Sequence, residues 1–204
     1  SQDTLAQLSK QILMTDTDII MFCDFRHGIF NKSSIEDLIS AIPQSAFSAA
    51  DSQVATRWGN ITEFCNFDLL TPNEREARFS LADQDSTVGN LAGAIQKETN
   101  CANLILKLGS KGLFGLSEAP GKDKDQMFSV DSFANNVIDP VGAGDALLAY
   151  AALSLYKTGS LAIASILGSM AAACECEHNG NIPISPENVL EKINAVEKLT
   201  GYSG

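Results

Sequence analysis

Four short apolar runs limit most strongly what this chain can fold into. They are TDIIMFCD (residues 17–24), AFSAAD (46–51), FDLLT (67–71) and NLILKLG (103–109), and stretches with helical periodicity lie between them. A strand wetted on one face alternates apolar and polar residues, whereas a near-continuous apolar run of strand length is buried on both faces. Strands of that kind alternating with helices imply a parallel sheet with helices packed on both sides. The spacing predicts helices over Leu5–Met14, over IEDLISAI behind Ser33 and Ser34, over PNEREARFSLA with Pro72 near its first turn, and over STVGNLAGAIQKET. GLFGLS and QMFSV read as two further strands joined by the charged loop EAPGKDKD. Three helices in succession close the chain, in ALLAYAALSLYKTG, SLAIASILGSMAAACECE and SPENVLEKINAVEKL. With neither a repeat nor a low-complexity linker, residues 1–204 read as a single α/β domain.

Composition narrows the function classes. At 45% hydrophobic residues the chain can bury a substantial core, and a net charge of -11 disfavours a nucleic-acid backbone as its main partner. A nucleotide ligand remains compatible, because Mg²⁺ and local amides neutralise phosphates inside an acidic protein. The five cysteines form no paired framework, and the C-E-C of Cys174 and Cys176 lacks zinc-site spacing, so reduced thiols are expected. The polar opening SQDTLAQLSKQ is unlike a signal peptide, and LAIASILGSMAAAC is too short and too rich in small residues to span a bilayer. These features predict a cytoplasmic protein without a membrane partner.

In open α/β sheets, ligands bind beyond the carboxyl ends of the strands. CDFRHG, AADSQ, TPNERE and LGSKG all fall there, and DPVGAGDALLAY (139–150) follows the last two strands. In that segment Gly142 and Gly144 let an anion approach the backbone, at a helix start whose N–H groups attract negative charge. Asp145 fits two roles, the carboxylate that a helix N-terminus favours or a base held beside a bound phosphate. Two familiar nucleotide loops are excluded. GLSEAPGKD has the wrong spacing for a Walker phosphate loop, and VGAGDAL lacks the third glycine of a dinucleotide fingerprint.

DPVGAGDA closely resembles the second signature of the ribokinase-like (PfkB) carbohydrate kinases, D-[TS]-x-G-A-G-D, with Pro140 in place of the hydroxyl residue. TPNERE matches the family's N-x-x-E motif at Asn73 and Glu76, and KLGSKG matches its L-G-x-x-G turn at Gly109 and Gly112. AAACECEHNGN aligns with the helix and loop that flank the adenine, and the resemblance extends over residues 18 to 195. CDFRHG and LLTPNEREAR look most like the heptose-phosphate kinase branch, the kinase half of ADP-heptose synthesis. That branch usually reads S-D-Y-G-K-G, so Arg26 and His27 stand where glycine and lysine are usual, while Asp24 and Gly28 are kept.

The resemblance implies a three-layer α/β fold and ATP-dependent phosphoryl transfer to a hydroxyl of a sugar or sugar phosphate, heptose 7-phosphate among the candidates. It assigns Asp145 as general base and Gly142, Ala143 and Gly144 to an anion hole at the helix start. Lys107, Gly109, Lys111, Gly112, Asp139 and Asn181 fall on the nucleotide side, and Asn73 and Glu76 organise Mg²⁺ through water. Asp24 and His27 are placed on the acceptor side. Read without the family, TPNERE is a good helix start, Gly109 and Gly112 bracket a turn between strands, and His27 is a solvated loop histidine. The acidic run Glu187, Glu191 and Glu197 reads as a solvated helix face.

The family opens with a strand, a Gly-Gly signature and a small β lid, whereas this sequence opens in a helix and has no Gly-Gly pair. The expectation is therefore a C-terminal, nucleotide-binding portion without the N-terminal strands and lid. Such a portion should associate with another copy of itself or with the missing N-terminal segment. A catalytically silent nucleotide-binding fragment is the alternative to an active kinase.

Overall fold

The computed structural model describes residues 2–53, 61–118, 126–180 and 182–201. Its elements are α1 (Gln2–Met14), β1 (Ile19–Asp24), α2 (Ile35–Ser40), β2 (Phe47–Ser52), β3 (Leu69–Leu70), α3 (Glu74–Leu81), α4 (Val88–Thr99) and β4 (Asn103–Lys107). They continue with β5 (Leu113–Ser117), β6 (Gln126–Val130), α5 (Ala143–Thr158), α6 (Leu161–Cys176) and α7 (Pro186–Thr200). The six strands form one sheet in chain order, and the β1–β2, β2–β3 and β3–β4 pairs are parallel. Parallel pairing puts the ends of the first four strands at the same edge, as the apolar runs and their polar tails require.

Two compact units divide the chain. The first comprises Ser1–Lys107 with Phe114–Met127, and the second comprises Leu108–Leu113 with Phe128–Gly204. In the first unit, Ala49, Ala50, Leu69, Leu70, Leu104, Ile105 and Leu106 are fully buried, the two-sided burial expected of central parallel strands. An aromatic cluster fixes the loop after β1. Phe22 on β1 lies 5.1 Å from Phe30, centroid to centroid, and 5.7 Å from Phe67, while Phe64 lies 5.8 Å from both Phe30 and Phe67. Tilted and edge-on rings at such spacings add specific attraction to the area they bury. Ser34, although it stands at the cap position of α2, makes no side-chain cap bond to the helix. Its hydroxyl instead donates to the Ile29 carbonyl at 2.6 Å and accepts from the Asn31 N–H at 3.0 Å, which folds the loop back on itself.

The second unit is built on close helix packing. α5 and α6 are rich in alanine, and Gly168 shows why small residues are needed. A Cβ at Gly168 would meet the Leu147 carbonyl oxygen at 3.0 Å and the Ala151 Cβ at 3.1 Å. The apolar stretch that carries Gly168 is thus a buried packing helix, and among the described residues no helix is long and apolar enough to cross a membrane. α7 caps this core through Val189, packed with Met170, Ala171 and Tyr150, whose hydroxyl donates to the Ile184 carbonyl at 2.9 Å.

Element boundaries moved where turn chemistry intervened. α5 begins at Ala143, three residues ahead of the ALLAY run, because Gly142 adopts φ 88° and serves as its N-cap. β3 is only two residues long, because Pro72 and the cap of α3 follow so soon. Gly112 closes a short 3₁₀ turn over Gly109–Lys111 at φ 83°, where a Cβ would stand 2.0 Å from the Val130 carbonyl oxygen. Only glycine fits that position. The five cysteines carry no disulfide. Burial pushes the Cys101 thiol up to about 11 and raises Cys65, Cys174 and Cys176, so these thiols are poor nucleophiles near neutrality.

Candidate active site

In the first unit, two ion pairs stand at the carboxyl ends of the parallel strands. The Lys107 ammonium at the end of β4 donates to Asp51 Oδ2 on β2 at 2.6 Å, with side chains 16% and 10% exposed. Arg26 Nη1 donates to Asp24 Oδ2 at 2.6 Å. The Ser52 hydroxyl donates to the same oxygen at 2.9 Å, and the Arg26 backbone N–H donates to Asp24 Oδ1 at 2.8 Å. Register explains the sorting. Asp24 pairs with Ser52 and Cys23 with Asp51 across β1 and β2, so neighbouring side chains alternate between the two faces of the sheet. Asp51 and Lys107 therefore share one face, and Asp24 and Ser52 share the other.

Asn73 and Glu76 stand where TPNERE predicts, at the start of α3, and their reciprocal bonds form a capping box. Asn73 Oδ1 accepts from the Glu76 N–H at 2.8 Å, and Glu76 Oε2 accepts from the Asn73 N–H at 2.6 Å. Asn73 also pairs with Lys107 as an isolated parallel bridge, which ties the capping box to the end of β4. Glu76 is buried at 5% exposure. Among the described residues no three His, Cys, Asp or Glu side chains come together, so Asn73 and Glu76 offer a cation at most two side-chain groups, the rest of its shell falling to water or a ligand. That donor set suits Mg²⁺, which keeps several waters and takes only one or two protein oxygens.

The second unit contains the glycine turn and the loop before α5. Gly109 and Lys111 are exposed there, and Gly112 is half-buried. The Asp139 carboxylate accepts from the Val141 N–H at 3.0 Å, and the Ala143 N–H reaches the Pro140 carbonyl at 3.3 Å. Of the N–H groups over Val141–Gly144, Val141's is thus engaged by Asp139 and Ala143's by the Pro140 carbonyl. The Ile138 and Asp139 N–H groups both donate to the Cys176 carbonyl, at 2.7 and 3.2 Å, anchoring the loop to the end of α6. Asp145 is the third residue of α5 and not its cap, a position Gly142 holds. It is half-buried in the first turn, where the helix dipole favours a carboxylate.

Beside the end of α6 the same unit has a cavity of about 430 Å³, lined by Ser132, Phe133, Asn135, Glu177, His178 and Lys192 among others. Glu177 accepts from the Lys192 ammonium at 2.6 Å and the Asn135 N–H at 2.8 Å. Burial alone would raise the Glu177 carboxyl, but these two donors outweigh it and hold the group below the usual carboxylate range. Asn181 lies outside the described residues.

Sequence reasoning missed the partners of the strand-end charges. Asp51 and Lys107 are 56 residues apart, and only the period-2 parity of aligned parallel strands brings them to one face. His27 is exposed, with its ring centroid 6.4 Å from that of Phe25.

Comparison with known proteins bears on the family and the fold. Relatives named Bifunctional protein HldE include one from Pelobacter propionicus, 26% identical over 182 residues, covering 86% of this chain and 35% of that protein. Another, from Helicobacter pylori, is 29% identical over 211 residues, covering 95% of this chain and 44% of its own length. The chain therefore spans well under half the length of these curated relatives. Phosphofructokinase-2 from Escherichia coli in complex with potassium superposes with a TM-score of 0.80 at 19% identity, over 97% of this chain and 63% of that one. Ribokinase from Arabidopsis thaliana complexed with ribose and ATP gives 0.69 at 21% identity, over 95% of this chain and 59% of that one. These superpositions establish a ribokinase-like α/β fold. The model of the pfkB family carbohydrate kinases matches residues 4–188, and the chain belongs to that family.

Proposed function

We propose that the chain carries the nucleotide-binding and phosphoryl-transfer portion of an ATP-dependent kinase acting on a hydroxyl of a sugar or sugar phosphate. The observation that carries this reading is the start of α5. Gly142 caps a 16-residue helix with its backbone at φ 88°, and Asp145 lies in the first turn behind it. Phosphoryl transfer requires alignment and stabilisation of charge on the phosphate oxygens. The N–H groups of Gly142 and Gly144 supply donors at the positive end of the helix, where no Cβ blocks approach. Asp145 accepts the proton of the attacking hydroxyl.

The turn of Gly109, Lys111 and Gly112 belongs to the same compact unit and faces the nucleotide in this reading. The cavity beside Phe133 and His178 has a volume suited to a nucleobase, with an aromatic wall and polar groups on its rim. Asn73 and Glu76 would hold Mg²⁺ through its waters, and a bound Mg²⁺ would supply charge neutralisation for phosphate. Membership of the carbohydrate kinase family supports the acceptor class, and the ribokinase complexed with ribose and ATP is in keeping with the nucleotide. Association with a second copy of the chain belongs to the same proposal.

Release of ADP from ATP and Mg²⁺ tests the reading across a panel of pentoses, hexoses, hexose phosphates and heptose 7-phosphate. At least one acceptor should raise ADP release well above the acceptor-free rate. If none does, while ATP still raises the melting temperature, the silent nucleotide-binding alternative is the correct one.

A further inference from the structure

We propose that Arg26 reads a phosphate monoester on the acceptor, with Asp24 as its positioning residue; the proposal rests on the sugar-kinase reading above. Arg26 adopts φ 60°, a left-handed conformation that a side chain with a Cβ seldom takes. Its side chain is only 10% exposed, although a surface-loop arginine normally extends into water. Both oddities trace to Asp24, itself 3% exposed at the end of β1. Asp24 Oδ1 holds the Arg26 backbone N–H at 2.8 Å, and Asp24 Oδ2 holds Nη1 at 2.6 Å and the Ser52 hydroxyl at 2.9 Å. One carboxylate thus fixes both the strained backbone and the guanidinium plane.

The orientation leaves a specific edge of the guanidinium unused. Nη1 lies on the Cδ side of the group, so the edge made by Nε–H and Nη2–H faces away from Asp24. Nε is buried and has no hydrogen-bond partner among the described residues. A charged N–H stripped of water and given no acceptor costs more than an ordinary hydrogen bond returns, and native structures keep such a group where a ligand or an ordered water completes it. The Nε/Nη2 edge is the planar fork that matches two oxygens of a phosphate, which a lysine cannot do. Its place at the carboxyl end of β1, in a loop anchored by Phe30 and Ser34, is where an open α/β sheet receives its ligand.

The test uses the whole chain without ATP, so that failure of the kinase reading and failure of this one are separable. Arg26 is one of four arginines, and their Nε–H resonances can be resolved by ¹⁵N NMR. Titration with fructose 6-phosphate and with inorganic phosphate should move one of them, the resonance missing from Arg26→Lys. Fructose and chloride at matched ionic strength should leave it in place. By calorimetry, Arg26→Lys should bind the phosphorylated sugar about tenfold more weakly, the loss expected for one charge-assisted bond. If Arg26→Lys fails to fold, elimination with Arg57→Lys, Arg75→Lys and Arg78→Lys still assigns the resonance. An Arg26 Nε–H that ignores both phosphates, or four arginines that shift alike, overturns the proposal.

Discussion

Asparagine at position 145 should lower phosphoryl transfer by ~10² to 10⁴ while nucleotide binding survives, the usual cost of removing a general base. The substitution keeps shape and polarity at the third residue of α5, so the cap at Gly142 and the packing behind it are undisturbed. What it removes is the carboxylate that takes the hydroxyl proton and the charge that interacts with the first turn. The second effect alone is worth about 0.3–1 kcal/mol and affects stability, not turnover. The two effects separate cleanly when turnover with a productive acceptor is measured beside a melting curve. Near-normal turnover in Asp145→Asn would remove Asp145 from the chemistry and leave it as a helix-start carboxylate.

The largest expected effect on stability comes from Lys107. Methionine there preserves the aliphatic length but leaves Asp51, with its side chain 10% exposed, as an unpaired buried charge. Breaking a buried pair in this way costs about 3–5 kcal/mol, a large fraction of the stability of most domains. The pair itself is worth far less, because desolvation of both ions offsets most of their attraction. Lys107→Met combined with Asp51→Asn should therefore recover much of what the single change loses. Urea unfolding of both variants and the parent gives the comparison. Equal destabilisation by the single and the double change would mean that Lys107 acts through its packing and not through the ion pair.

Much of the fold was legible in the chain because its signals are local. The apolar runs of β1 and β4 and the small-residue surface of α6 each state their burial within a few residues. The helix start in TPNERE was equally visible, although α3 begins at Glu74 behind Asn73 as its cap, and the reciprocal bonds of Asn73 and Glu76 appear only in the structure. The polar network was less legible. That Asp24 holds Arg26 through both its backbone and its guanidinium depends on a left-handed residue that no composition signal announces. Asp51 and Lys107 meet only after two strands are aligned. The loop before α5 shows the same limit. Its glycines read as an anion site in the sequence, whereas the bond from the Val141 N–H to Asp139 is seen only in the structure.

In the proposed reading, nucleotide binds at the glycine turn and the start of α5. Backbone ¹⁵N NMR of the chain with ATP and Mg²⁺ tests it most directly. The largest shifts should fall at Gly109, Gly112 and Gly142 to Asp145, with further shifts beside Phe133 and His178, and NAD should produce none of them. Shifts that avoid Gly142 to Asp145, or a response to NAD equal to that with ATP, would contradict it.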